Sequence, residues 1–214
     1  MIRLFAFFTM LSTPIAAHPH IFINTGIEVL VDAQNRVTHL KVTWEYDELY
    51  SLLVTEDMGL DDDYDGTLTE AEIARLTGFD MNWIEGFNGD LEATLGNVPV
   101  RLSGPKNVTA SFDDGKITTT HLRAVEETPS LDASTLNILP YDATYYTAYE
   151  VSLPVSVTRE GCEAVVSPPD IDAALALTQA ELAQLPPDVE ADEAGYPKIG
   201  KRFATLVQVT CPAS

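Results

Sequence analysis

At 214 residues the chain is long enough for one substantial domain and too short for three. A hydrophobic fraction of 45% and a charged fraction of 21% are those of a globular protein and exclude wholesale disorder. With 33 acidic against 12 basic residues the formal net charge is -21, which repels polyphosphate and anionic lipid. Nucleic-acid and membrane-surface binding are thereby disfavoured, whereas cations and basic partners fit.

Residues 1–17 read as a secretory signal: Arg3 supplies a minimal positive start, 4–11 (LFAFFTML) an apolar core, and Pro14 to Ala17 a break with a small residue at the cleavage position. Cleavage after Ala17 is favoured over cleavage after Ala16, which places Pro14 third before the cut. A buried N-terminal helix is the bland alternative. No later run approaches the ~20 apolar residues of a membrane span, so the expectation is a periplasmic protein with no transmembrane segment in its mature chain.

Alternating, β-branched runs at 21–31 and 36–44 predict a hairpin across the turn Asp32-Ala33-Gln34-Asn35. Leu49, Leu52 and Leu53 predict a helix over 46–58, and a second helical stretch begins near Thr69 and runs toward Ile84 with a break near Gly78. Strand-like runs resume as LEATL, PVRLS, NVTASF, KITTTHLRA and TYYTAYEVS, with Asp113-Asp114-Gly115 as a turn. A helix over 171–185 sits between two Pro-Pro pairs, a surface loop follows at 186–202, and FATLVQVTC closes as a strand. The pattern predicts an α+β fold: an antiparallel, sandwich-like β core, an EF-hand-like helical pair inserted at about 46–87, and one further short helix. Residues 18–214 are expected to form a single domain. The two cysteines, Cys162 and Cys211, are expected to pair in an oxidising compartment.

Residues 61–72 (DDDYDGTLTEAE) match the twelve-residue EF-hand loop at its diagnostic positions. Asp61, Asp63 and Asp65 stand at positions 1, 3 and 5, and Gly66 at the sharp turn. Thr67 offers its carbonyl at position 7, Thr69 a water-mediated contact at 9, and Glu72 a carboxylate at 12. A hard cation needs six to eight oxygens, and alternating acids on a tight loop converge them. Six carboxylates in twelve residues repel one another unless neutralised; the alternative is an acidic turn without an ion. With no second loop of this type, a structural Ca²⁺ site of the ~10⁻⁴–10⁻³ M class fits better than a sensor.

Two of the four histidines, His18 and His20, follow the inferred cleavage point, where an α-amine and two imidazoles suit Zn²⁺, Ni²⁺, Co²⁺ or copper. Pro19 lacks the N–H that a square-planar amino-terminal chelate deprotonates. His121 is a candidate third nitrogen from another strand, His39 a weaker one, and Asp47, Glu48 or Asp142 candidate carboxylates. The competing readings are a solvated terminus for His18 and His20 and an exposed strand histidine for His121. No GxSxG, HExxH, phosphate-cradling glycine loop or CxxC occurs, so no enzymatic activity is expected.

Taken in order, HPHIFI at 18–23, WEYDE at 44–48, the loop at 61–72 and YDATYY at 141–146 resemble a bacterial family described as the periplasmic component of an uncharacterised ABC-type transport system. That resemblance spans the mature chain and implies handling of nickel, cobalt or zinc, with an inner-membrane metal permease as partner. It transfers only His18 and His20, as a metal site, and the loop acids, for calcium.

Three functions follow as expectations. The first is a periplasmic metal-binding protein of Zn/Ni/Co transport or homeostasis with a calcium-ordered insertion. The others are a calcium-stabilised interaction module and a copper redox protein of histidine-brace type. The charge is concentrated: residues 45–92 hold fifteen acidic residues and one basic residue, Arg75.

Overall fold

The computed structural model describes residues 19–132, 134–184 and 198–213. The expected signal segment and His18 lie outside the described residues, as does most of the loop expected at 186–202. Among the described residues the chain runs β1 (Ile21–Val31), β2 (Val37–Tyr46), α1 (Glu48–Met58), α2 (Glu70–Leu76), β3 (Leu91–Leu95), β4 (Val98–Pro99), β5 (Lys106–Asp113) and β6 (Lys116–Ala124). It continues through β7 (Leu136–Pro140), β8 (Thr147–Glu150), β9 (Val155–Val157), β10 (Glu163–Ser167) and α3 (Ile171–Leu182), then a 3-10 turn (Gly200–Phe203) and β11 (Leu206–Thr210).

The strands form two sheets, as an α+β fold with a sandwich-like core requires. One sheet is ordered β5-β6-β2-β1-β8, with β9 also on β1; the other is ordered β10-β11-β7-β3-β4. Pairing is antiparallel except where β8 and β9 run parallel to β1. Both inner faces feed one buried cluster: Ile27, Leu40, Val42 and Ile117 from the first sheet, Leu136, Ile138, Val207 and Val209 from the second. Burying each such side chain contributes roughly 1.5–3 kcal/mol. Cys162 and Cys211 are bonded, tying β10 to the end of β11. Closing a loop of that length stabilises the fold by about 4 kcal/mol on the chain-entropy model.

The helical insertion leaves the first sheet at Asp47, whose side chain caps α1 by accepting from Tyr50 N. Helix α1 lies along β6 through a polar contact, the Ile117 amide donating to Ser51 Oγ at 2.9 Å. Its apolar contacts come from Tyr50, Val54 and Met58, half-buried against the core. Leu49, Leu52 and Leu53 do share a face, but that face is turned to solvent, 66%, 54% and 54% exposed. Arg75, the basic residue of this acidic stretch, donates to the carbonyls of Met58 and Gly59, satisfying the C-terminal end of α1. The second helix stops at Leu76 rather than running on to Ile84, because Thr77 leaves helical geometry and Gly78 turns the chain with φ 86°. Leu60 and Leu76, both buried in the common core, anchor the loop between the helices to the sandwich.

Candidate functional site

The acidic loop is built by backbone amides that its own carboxylates collect. Asp61 accepts from Asp65 N at 3.0 Å and from Gly66 N at 3.2–3.3 Å, which folds the chain back over its first residue. Gly66, at φ 78°, occupies the left-handed turn that a side chain would strain. Asp65 accepts from the Thr67 amide at 2.8 Å and from its hydroxyl. Glu72 spans the loop: Oε1 accepts from Asp61 N at 2.9 Å, and Oε2 from Thr69 N at 2.8 Å. Thr69 returns the contact by capping α2, completing a capping box.

The result places one carboxylate oxygen from each of Asp61, Asp63 and Asp65 within 4.8 Å of one another, so this cluster could bind a metal ion. The Thr67 hydroxyl and amide hold the Asp65 carboxyl below its ordinary range, and the Thr69 hydroxyl and amide do the same for Glu72. Both stay ionised well into acid solution, at the surface where a hydrated cation can reach them. An all-oxygen donor set of this kind suits a hard cation such as Ca²⁺.

The histidines are arranged differently. His20 is exposed; its amide donates to Tyr146 O at 2.8 Å, and its ring lies 4.9 Å from that of Tyr146. By strand alternation it falls on the side of the exposed Phe22, the outer face of the first sheet. His121 lies on the inner face, 1% exposed, with its ring edge-on to Trp44 at 4.7 Å and to Trp83 at 5.5 Å. Pairing of β6 through β2 to β1 sets His121 level with Ile27, seven residues along from His20. Opposite faces and that offset keep His20 and His121 apart. The expectation of an exposed His121 is likewise corrected by its burial among the two tryptophans. Burial, with the Arg123 charge nearby, pushes its imidazole down to about 3.

The three candidate carboxylates have other partners. Asp47 accepts from Phe22 N and Tyr50 N, both at 2.9 Å, so it joins β1 to α1 beside the terminus. Asp142 accepts from Thr144 N, Tyr146 N and Thr147 N and shapes the turn leading into β8. Glu48 pairs with Lys116 at 3.1 Å.

The inner face also carries a buried polar layer near Trp44 that hydrophobic periodicity does not predict. Asp80 Oδ2 accepts from Tyr46 Oη and Thr119 Oγ1, each at 2.7 Å, and burial raises its carboxyl. The Arg123 guanidinium lies over the Trp83 ring, 4.7 Å from its centroid, and donates to Asn88 O. Gly89 permits that packing, since a Cβ there would fall 2.4 Å from Trp83 and 2.6 Å from Arg123. The available signal was the inward parity of β6, where Thr119, His121 and Arg123 fill positions that an apolar face would give to aliphatic residues.

Comparison with protein families places the chain plainly: it belongs to the family described as "Protein of unknown function (DUF1007)", whose model matches residues 3–211. No curated protein matches it.

Proposed function

We propose that this member of the DUF1007 family is a non-enzymatic, periplasmic cation-binding protein of Zn/Ni/Co transport or homeostasis, carrying a structural Ca²⁺ in its loop at 61–72. The observation that carries the reading is the convergence of Asp61, Asp63 and Asp65 to within 4.8 Å, with Glu72 drawn to the first residue of the loop. Asp61, Asp63, Asp65 and Glu72 would hold the ion, joined by the Thr67 carbonyl and, through water, Thr69. A bound divalent ion supplies charge neutralisation to an insertion that otherwise repels itself, fixing α1 against α2.

The transition metal is assigned to His18 and His20 at the mature terminus, with an inner-membrane permease as partner. Exposure of His20 at the start of β1, with Asp47 bonded to the neighbouring Phe22 amide, supports that placement. His121 is left out of this ligand set because it faces the interior. The Cys162–Cys211 bond fits an oxidising compartment, and no described helix is long and apolar enough to cross a membrane.

Equilibrium dialysis with elemental analysis, on protein exported and processed at its own terminus, tests both halves. Wild-type protein should carry one Ca²⁺ per chain, lost when Asp61, Asp63 and Asp65 are changed to Asn, and one transition-metal ion, lost in His18→Ala/His20→Ala. Absence of stoichiometric Ca²⁺ contradicts the first half; a double-alanine variant that binds zinc, nickel and cobalt like wild type contradicts the second.

One observation favours a second reading, a calcium-stabilised interaction module. The exposed Leu49, Leu52 and Leu53 lie on α1, in the same acidic insertion as the loop, and would suit a basic amphipathic partner. Calcium should then raise thermal stability and partner affinity together.

A further inference from the structure

The inner face of the first sheet opens, at its β1–β8 end, into a pocket that neither the loop nor the terminal histidines use. It has a volume of about 200 Å³ and is walled by Trp44, Tyr46, Tyr50, Trp83, Phe87 and Tyr149. Among its described lining residues Asp80 is the one carboxylate. Asp80 Oδ2 is held by Tyr46 and Thr119, while Oδ1 is buried with no hydrogen-bond donor.

Two features ask for the same occupant. A buried carboxylate short of donors is costly, and a positive charge held in the adjoining pocket lowers that cost through space. Aromatic faces carry negative potential and attract cations, most strongly where water is excluded. The Arg123 guanidinium over Trp83 shows the same attraction satisfied inside the protein, and Arg123 is not among the residues lining this pocket. A hydrated metal ion is the wrong guest, because the walls present rings rather than oxygen or nitrogen ligands. A neutral apolar guest brings no charge to offset the Asp80 carboxylate. The volume lies below the ~300–1,000 Å³ of drug-sized sites, which limits the occupant to a small head group.

We propose that this pocket binds a small organic ammonium ion, its methylated head enclosed by Trp44, Tyr46 and Trp83 beside the Asp80 carboxylate. The inference is independent of the calcium loop. The guest is defined by its chemistry, a positive charge in an apolar methyl shell.

Trp44 and Trp83 are the two tryptophans of the chain and both line the pocket, so intrinsic fluorescence reports on this site. Titration of the full chain with choline chloride or tetramethylammonium chloride should give a saturable change at one ion per chain. The neutral carbon isostere of choline, dimethylbutanol, should bind at least about tenfold more weakly. Asp80→Asn should lower choline affinity about tenfold and leave dimethylbutanol unchanged. Because that variant also disturbs the Tyr46 and Thr119 hydrogen bonds, Phe87→Ala provides a second test: choline affinity falls severalfold with the melting transition still cooperative. Asp61→Asn should change neither titration. Equal binding of choline and dimethylbutanol by wild-type protein overturns the proposal, as does the absence of saturation by either ammonium ion.

Discussion

The helical insertion and the inner face of the first sheet use the same acidic side chains under opposite physical conditions. At the surface, Asp65 and Glu72 accept from threonine amides and hydroxyls, and both carboxyls lie below their ordinary range. Inside, burial raises Asp80, and burial reinforced by the Asp142 charge lifts Asp90 to about 6 despite the Tyr149 hydroxyl it accepts from. Burial also leaves His121 neutral. Charge is therefore kept where amides and water support it, and that is where a hard cation fits. Where rings surround the carboxylate, charge is an expense that a soft organic cation would relieve.

The strongest way to break this comparison is to detach one region from the other. Leu76, fully buried, carries α2 into the shared core, so Leu76→Ala should destabilise the protein by about 2–5 kcal/mol in denaturant unfolding. A loss below about 0.5 kcal/mol would mean that the insertion is not integrated with the sandwich.

The calcium contribution comes next. At Ca²⁺ near one hundred times its dissociation constant, wild-type protein should gain about 2.7 kcal/mol, read as a rise in thermal midpoint. Glu72→Gln should lose most of that gain. An unchanged response would remove Glu72 from the ligand set.

The two regions should also answer pH with opposite signs. A buried acid whose folded value is raised binds protons more readily in the native state, so Asp90 favours folding increasingly as pH falls from about 6 toward 4. Asp65 and Glu72, depressed in the folded state, contribute above the ordinary carboxylate range and lose that contribution only as pH falls through their lowered values. Asp90→Asn should flatten the wild-type gain between about pH 6 and 4, by on the order of 1–2 kcal/mol after allowance for partial exposure. Equal pH slopes in the two proteins would contradict a buried, proton-binding Asp90.

The smallest effect is expected on the exposed helix face. Leu52→Ser and Leu53→Ser should each change stability by less than about 0.5 kcal/mol, because neither side chain packs into the core. A loss of 2 kcal/mol or more, about the size expected of a core truncation, would show that this face is covered in solution.

What the sequence made legible was local. The loop needs only residues 61–72 to specify its convergence, since each carboxylate collects amides two to five residues away or from the loop's own ends. Strand β6 was readable to its boundaries from KITTTHLRA, and the cysteine pair from its parity. The remainder depends on contacts that spacing cannot supply. Periodicity shows that Leu49, Leu52 and Leu53 share a face, but Tyr50, Val54 and Met58 win the core contact. Strand β7, with Asn137 and Pro140 interrupting a short apolar run, gave little signal, yet it is central to the second sheet. Whether His20 and His121 meet is decided by strand order and by which side of each strand faces inward. That reading requires the register of β6 through β2 to β1 and the edge-on packing of His121 against Trp44.

Whether the loop at 61–72 holds a cation is read most simply from an amide NMR titration with Ca²⁺. The amides of Asp61, Asp65, Gly66 and Thr67 should shift together and saturate at one ion per chain, with the strands of the second sheet unmoved. Resonances at 61–72 that stay fixed at millimolar Ca²⁺, or changes that spread over the sandwich and leave the loop still, would contradict it.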